Sequence, residues 1–286
     1  MTPKKHVYII ATLALFGIFA CSMSNLAINR PISSIIVLDS LSIDFTIDKV
    51  CYSPIDRTFF LLDKQDNAVH IYKNGSFHNV IGKSGFSDDN FRRLSDICFG
   101  LDGFLYALDS FDRSLKKFDS NGKYIGSAFI NHLNSPERFA MTQYGAFFVF
   151  DGHSMEISNL DPFDYSSKFT FGKFQIENID EMFLAGDYLN VYDRVNQKTD
   201  IFFVNGMLEN SYNGFIFYDA FKNMLSSRNN NIIDMKTNNI LFTFTDSRLP
   251  TRWRDDLIKI NIENNLLIAL HNGQIFVFRI SYETRQ

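Results

Sequence analysis

Four aspartates close short apolar runs along this chain, at Leu62-Asp63, Leu108-Asp109, Phe150-Asp151 and Tyr192-Asp193, with spacings of 46, 42 and 42 residues. Carboxylates brought together from separate segments are what a calcium site needs, and a zinc site would draw on histidine as well. The six histidines (His6, His70, His78, His132, His153 and His271) are scattered singly, with no His-x-His, His-Glu-x-x-His or Cys-x-x-Cys pair. Spacing therefore gives no metal signal, and no cofactor is expected. An aspartate at the same place in successive segments points instead to a structural duty, accepting hydrogen bonds from the turn after a strand. Nucleophile and phosphate motifs are missing too: there is no Gly-x-Ser-x-Gly elbow, no phosphate loop and no dinucleotide fingerprint. Gly82-Lys83-Ser84-Gly85 reads as a turn, and Asp161 with Asp164, like Asp88 with Asp89, as solvated loop acids. No residue is assigned a catalytic role, and a binding protein is favoured over an enzyme.

Two basic clusters are the candidate binding surface. Arg252-Trp253-Arg254 follows Pro250 and holds the one tryptophan of the chain. A tryptophan between arginines suits a protein partner or stacking on a sugar. The plainer reading is a Trp packed on an outer strand with its arginines in water. Arg92-Arg93 lies close to Asp88-Asp89 and reads as a solvated ion cluster. The formal charge of −4 offers no electrostatic reason to bind nucleic acid.

The elements that must position these residues repeat with a period near forty. From Phe91 to Phe129 the order is an apolar run (Ile97 to Phe99), a turn at Asp102-Gly103, a strand to Leu108-Asp109, a second strand to Phe118, a turn at Asp119 to Gly122, and a third strand from Tyr124. Several short strands per period select a propeller among repeat architectures. Weaker echoes at Ile233-Asp234 and Leu270-His271, 41 and 37 residues on, bring the count to six units; the last two are degenerate, and a count of five is the alternative. Val69, Leu115 and Ile157 stand six residues after their aspartates, and Tyr72, Phe118, Leu160 and Phe202 nine after; glycine turns follow at Gly75, Gly122 and Gly206.

The predicted fold is therefore an all-β six-bladed propeller of four-stranded antiparallel blades over residues 33–286. The last unit supplies three strands, 256–262, 266–270 and 274–280. Ser33 to Leu41 is a β-rich run without a blade of its own, and it would supply the fourth and close the ring, removing open edges. The 31 Phe and 12 Tyr suit interfaces between sheets. Asp219 to Leu225 is the one internal segment that reads as a short helical turn. Cys51 and Cys98, at nearly equivalent places on adjacent inner strands, read as buried apolar residues, because equivalent atoms of neighbouring blades should exceed the ~7 Å Cα limit for a disulfide.

The N-terminus carries location. Lys4 and Lys5 precede an uncharged apolar stretch, Val7 to Ala20, whose 14 residues fall short of the roughly 20 a membrane-spanning helix requires. It ends Ile18-Phe19-Ala20-Cys21, which resembles a bacterial lipoprotein box, with Phe19 departing from the usual small residue. An ordinary signal or an uncleaved anchor with an incidental cysteine is the alternative. On the lipoprotein reading residues 1–20 are a signal peptide, Cys21 is lipidated, 21–32 form a tether, and a monomeric propeller is anchored to an envelope membrane, in the periplasm or at the cell surface. Removing residues 1–20 takes away two lysines and no acid, moving the formal charge from −4 to −6.

Gly82 to Phe129, with its glycine-bearing loop, Phe91 before the inner strand, "Asp102-Gly103-Phe-Leu-Tyr106", "Leu108-Asp109" and "Phe118-Asp119-x-x-Gly122", resembles an NHL-type repeat. The whole chain is similar to six-bladed propeller lipoproteins of bacterial envelopes. Arg93-Leu94 stands where that family usually has proline. The resemblance implies fold and location and no single activity. It leaves a non-catalytic module for a protein, peptide or glycan partner as the leading function. A hydrolase or lyase working in the central channel is the alternative, since enzymatic relatives assemble metal sites there.

Overall fold

The computed structural model describes residues 30–219, 221–228, 231–243, 261–263, 265–271 and 274–283. After β1 (Ile32–Ser42), antiparallel sheets follow one another along the chain. The first blade holds β2 (Lys49–Ser53), β3 (Thr58–Asp63), β4 (Ala68–Lys73) and β5 (Ser76–Ile81). The second holds β6 (Leu94–Phe99), β7 (Leu105–Asp109), β8 (Ser114–Phe118) and β9 (Tyr124–Phe129); the third holds β10 (Pro136–Met141), β11 (Phe147–Asp151), β12 (Glu156–Leu160) and β13 (Ser167–Phe171). The fourth has β14 (Glu181–Ala185), β15 (Tyr188–Asp193), β16 (Lys198–Phe203) and β17 (Leu208–Asn213), and the fifth β18 (Ile216–Tyr218), β19 (Met224–Arg228), β20 (Asn231–Asp234) and β21 (Asn239–Thr243). The sixth comprises β22 (Asn261–Glu263), β23 (Leu266–His271), β24 (Gln274–Tyr282) and, outermost, β1. These six sheets form a six-bladed β-propeller.

Closure follows from edge chemistry. β1 pairs antiparallel with β24 from Ile32 opposite Tyr282 to Ser42 opposite Gln274, and the Glu283 amide donates to the Pro31 carbonyl at 2.9 Å. The pairing satisfies a row of backbone groups that an open ring would leave as a sticky edge. Nearby, Tyr282 donates its hydroxyl to Asp219 Oδ2 at 3.0 Å, and Asn223 donates to the Arg30 carbonyl at 2.8 Å. Burial pushes the Asp219 carboxyl above the usual carboxylate range, against the opposing pull of hydrogen bonds from Asn223, Phe221 and Tyr282.

The core lies between the sheets. Every residue of β2, β3, β6 and β7 is buried, whereas the outer strands β5 and β13 are largely exposed. One cluster joins Cys51, Phe60 and Ile71 of the first blade to Ile97, Phe99 and Phe118 of the second, with the Phe60 and Phe99 rings stacked at 5.0 Å. Cys98 joins the next cluster, with Phe139 and Phe147 of the third blade. Both cysteines are buried, each facing the following blade.

Two sequence expectations fail in the fifth blade. Of Asp219 to Leu225, Met224 and Leu225 already belong to β19, and the residues before them connect it to β18: the Asp219 carboxylate accepts the amides of Phe221 and Asn223, both at 2.8 Å, and so holds a hairpin instead of a helix. Asp234 closes the third strand of that blade, not the second, because β18 is only three residues long and the second strand, β19, ends at Arg228. Among the expected strands of the last unit, residues 256–260 lie outside the described residues.

Candidate functional site

The four repeat aspartates organise one face of the propeller, where the connections between blades meet the turns between second and third strands. Asp109, fully buried, accepts the amides of Arg92 (2.7 Å) and Arg93 (3.2 Å) from the incoming connection and of Phe111 (3.1 Å) and Asp112 (3.2 Å) from its own turn. Asp151 does the same for Asn134, Ser135 and His153. In the first and fourth blades the work is divided. Asp48 and Asp180, just before the inner strands, accept the amides of Lys64 (2.9 Å) and Arg194 (2.7 Å), while Asp63 and Asp193 accept those of Asp66 and Asn196, both at 3.0 Å.

These bonds present Arg92 and Arg93. Residues 82–93 are further fixed by Asn67, whose side chain donates to the Phe91 carbonyl at 2.9 Å and accepts the Leu94 amide at 2.6 Å. The buried Phe91 ring fits against Gly82, whose φ is +74° and where an added Cβ would lie 2.3 Å from that ring. The Arg92 guanidinium pairs with Asp112 at 3.2 Å, not with Asp88 or Asp89, and lies over the Phe86 and Phe111 rings at 4.8 and 5.1 Å. Phe86 is 87% and Phe111 61% exposed, so the three side chains form an open aromatic–arginine platform.

Beside the platform a cleft of about 500 Å³ opens between the first three blades. Lys64, Arg92, Arg93 and Arg138 line it with a single acid, Glu137; Ser84, Ser95, Ser110 and Ser135 supply hydroxyls, and Gln65 and Asn67 amides. Arg93 is oriented by its Nε bond to Ser110 Oγ at 2.6 Å. Arg138 links three blades at the channel mouth, donating to the carbonyls of Ser95 in β6 (3.3 Å), Glu137 in its own β10 (3.0 Å) and Asp180 just before β14 (3.1 Å). Among the described residues neither Arg93 nor Arg138 forms an ion pair with a carboxylate. Four basic groups against one acid, in a chain of net charge −4, make this cleft a local reversal of sign.

Deeper in the channel, Lys49 of β2 sits 2.9 Å from Asp96 of β6 and 3.9 Å from Glu181 of β14, all three buried. Burial alone would lower the Lys49 pKa, but the two carboxylates outweigh it and hold the ammonium above its ordinary value. Asp96 Oδ2 also accepts the Phe139 amide at 2.9 Å. Alongside Lys49, Ile97, Phe139 and Met182 help line a cavity of only about 20 Å³, room for about one water.

Sequence reasoning had singled out Arg92-Arg93 but not Lys64, Arg138 or the channel ions. The available sign was a charge inside an otherwise apolar inner strand, as in KVCYS, LSDICF and EMFLA. The structure also gathers Asp63, Asp66 and His70, which spacing did not flag. Cys21 and Arg252-Trp253-Arg254 lie outside the described residues.

Fold and site together define a six-bladed β-propeller with a basic cleft at one mouth of its channel. No protein-family model matches the chain, and no curated protein matches it in sequence. Among solved structures it is similar to the selenomethionine-substituted virginiamycin B lyase from Staphylococcus aureus, at 12% identity and a TM-score of 0.51, over 81% of this chain and 80% of that one. At that identity the likeness is one of fold.

Proposed function

We propose that this chain is a lipid-anchored propeller of a bacterial envelope that binds, without transforming it, a carboxylate-bearing partner segment such as an acidic peptide or glycan end. The observation that carries this reading is the cleft in which Arg93 and Arg138 stand without an acid partner among the described residues. Its volume suits one or two residues or sugar units, and the exposed Phe86–Arg92–Phe111 platform extends the surface beyond it. The alternative, a hydrolase or lyase in the channel, needs acids free to exchange protons; Asp96 and Glu181 are instead gathered around Lys49. The NHL-like repeat and the Cys21 lipid anchor belong to the same proposal and rest on the sequence.

Isothermal titration with tetraglutamate and with a uronic-acid oligosaccharide, each against a neutral counterpart, tests the cleft. Arg93→Ala, at an exposed site, should keep the fold and weaken acidic-ligand binding about tenfold or more, the equivalent of one charge-assisted hydrogen bond. Equal affinity for neutral and acidic ligands, or appearance of a cleaved product, would remove this reading. For the anchor, intact mass should show an acyl increment on the mature chain that Cys21→Ser abolishes; cleavage without that increment would make the protein a freely diffusing one.

A further inference from the structure

The repeat aspartates differ in how their second carboxylate oxygen is used. Oδ2 accepts the Arg92 amide in Asp109, the Asn134 amide in Asp151 and the Asn196 side chain in Asp193, at 2.7, 2.9 and 2.8 Å. In the first blade the corresponding latch has passed to Asp48, and Asp63 Oδ1 takes the Asp66 amide alone. Asp63 Oδ2 receives no hydrogen bond among the described residues, although its side chain is nine-tenths buried; it faces His70 Nε2 at 3.7 Å. That Nε2 is itself buried and without a hydrogen-bond partner, and the imidazole is held against the Phe45 ring at 4.6 Å. One donor atom from each of Asp63, Asp66 and His70 lies within 4.8 Å of the others.

A buried polar atom without a partner, here His70 Nε2, calls for a missing counterpart. A proton donor would satisfy one oxygen, but two carboxylates and an imidazole nitrogen facing one another are a set of electron-pair donors. The second blade shows what the position requires: Lys116, seven residues after Asp109 as His70 is after Asp63, puts its ammonium 4.0 Å from Asp109 Oδ2. In the first blade that lysine is a histidine, and the carboxylate has no such cation.

We propose that Asp63, Asp66 and His70 form a site for a divalent transition ion of the zinc class. Donors about 2.1 Å from a tetrahedral ion stand about 3.4 Å apart, close to the 3.7 Å between Oδ2 and Nε2. Asp66 is exposed and its carboxylate has no other partner among the described residues, so it can swing onto the ion and leave a fourth position to water. The imidazole selects against calcium and magnesium, which take oxygen ligands. Lys64, Gln65 and Asn67, from the turn that such an ion would brace, line the basic cleft.

The test is titration of the chelator-treated full chain with zinc chloride by calorimetry, with cobalt(II) absorption as an independent readout. One zinc per chain is expected, with at least tenfold weaker binding in Asp66→Asn and loss of saturable binding in His70→Gln; the cobalt bands should fade in the same order. Because Asp66 is exposed and its amide bond to Asp63 survives the change, Asp66→Asn should unfold as the parent does, so its zinc affinity reads the site. Absence of saturable binding would overturn the proposal, as would zinc binding that survives both substitutions and so belongs to other side chains.

Discussion

Replacement of Lys49 by methionine is expected to cost about 3–5 kcal/mol of folding stability, read as a fall in the urea midpoint with little change in slope. Methionine keeps most of the buried stem, so the loss isolates the charge. Lys49 contributes no sequence-local contact of note; its ammonium joins inner strands of the first, second and fourth blades through Asp96 and Glu181. With it gone, two carboxylates with side chains 1% and 7% exposed stay in the channel without the ammonium. Breaking a buried pair on one side is far more damaging than replacing the whole pair. The double variant Lys49→Met/Asp96→Asn should therefore be more stable than the sum of the two single losses by about 1 kcal/mol or more. Strict additivity would mean that Lys49 matters for packing alone, and the ion-pair account would fail.

How far the sequence foretold all this depended on whether the information was local. The repeat aspartates and the turns at Gly75, Gly122 and Gly206 were legible because strand alternation and turn chemistry act within a few residues; those glycines have φ of +77°, +88° and +85°. The closing role of Ser33 to Leu41 followed from edge logic. The fifth blade was misread because its first hairpin turns at Asp219 to Asn223 without glycine, placing Lys222 at φ +62°, and its second strand has no terminal aspartate. The cleft was only half visible. Arg92-Arg93 is a contiguous pair, but Lys64 and Arg138 are ordinary residues of a turn and a strand until the ring brings three blades together. Charges in the inner strands carried the same difficulty: Lys49 and Asp96 lie 47 positions apart, and only the closed ring brings Glu181 within reach of both.

Asp109→Ala should be the most damaging substitution among the repeat aspartates, at about 3–5 kcal/mol, because four backbone amides lose their acceptor at once. Each amide left without a partner costs about 1–3 kcal/mol when buried and less where water reaches it, and these four are partly covered. Asp63→Ala removes the acceptor of one amide, that of Asp66, and should cost about 1 kcal/mol. Asp109→Asn should fall between, since its carbonyl retains one acceptor while its amide group meets donors. The loss reaches beyond stability. Arg92 and Arg93 owe their placement to Asp109, which lies behind them and outside the cleft lining, so acidic-ligand affinity should drop in Asp109→Asn under conditions where the fold is intact. Hydrogen exchange at the Arg92 and Arg93 amides, compared with that at the Asp66 amide, checks the mechanism directly. If the latch operates, exchange accelerates at Arg92 and Arg93 in the Asp109 variants and stays unchanged at Asp66. Equal stability losses at Asp63 and Asp109 would instead mean that the repeat carboxylates act through their own short turns, and the connection carrying the two arginines would then be held by its other contacts, among them Asn67, the Phe91 ring and Ser110.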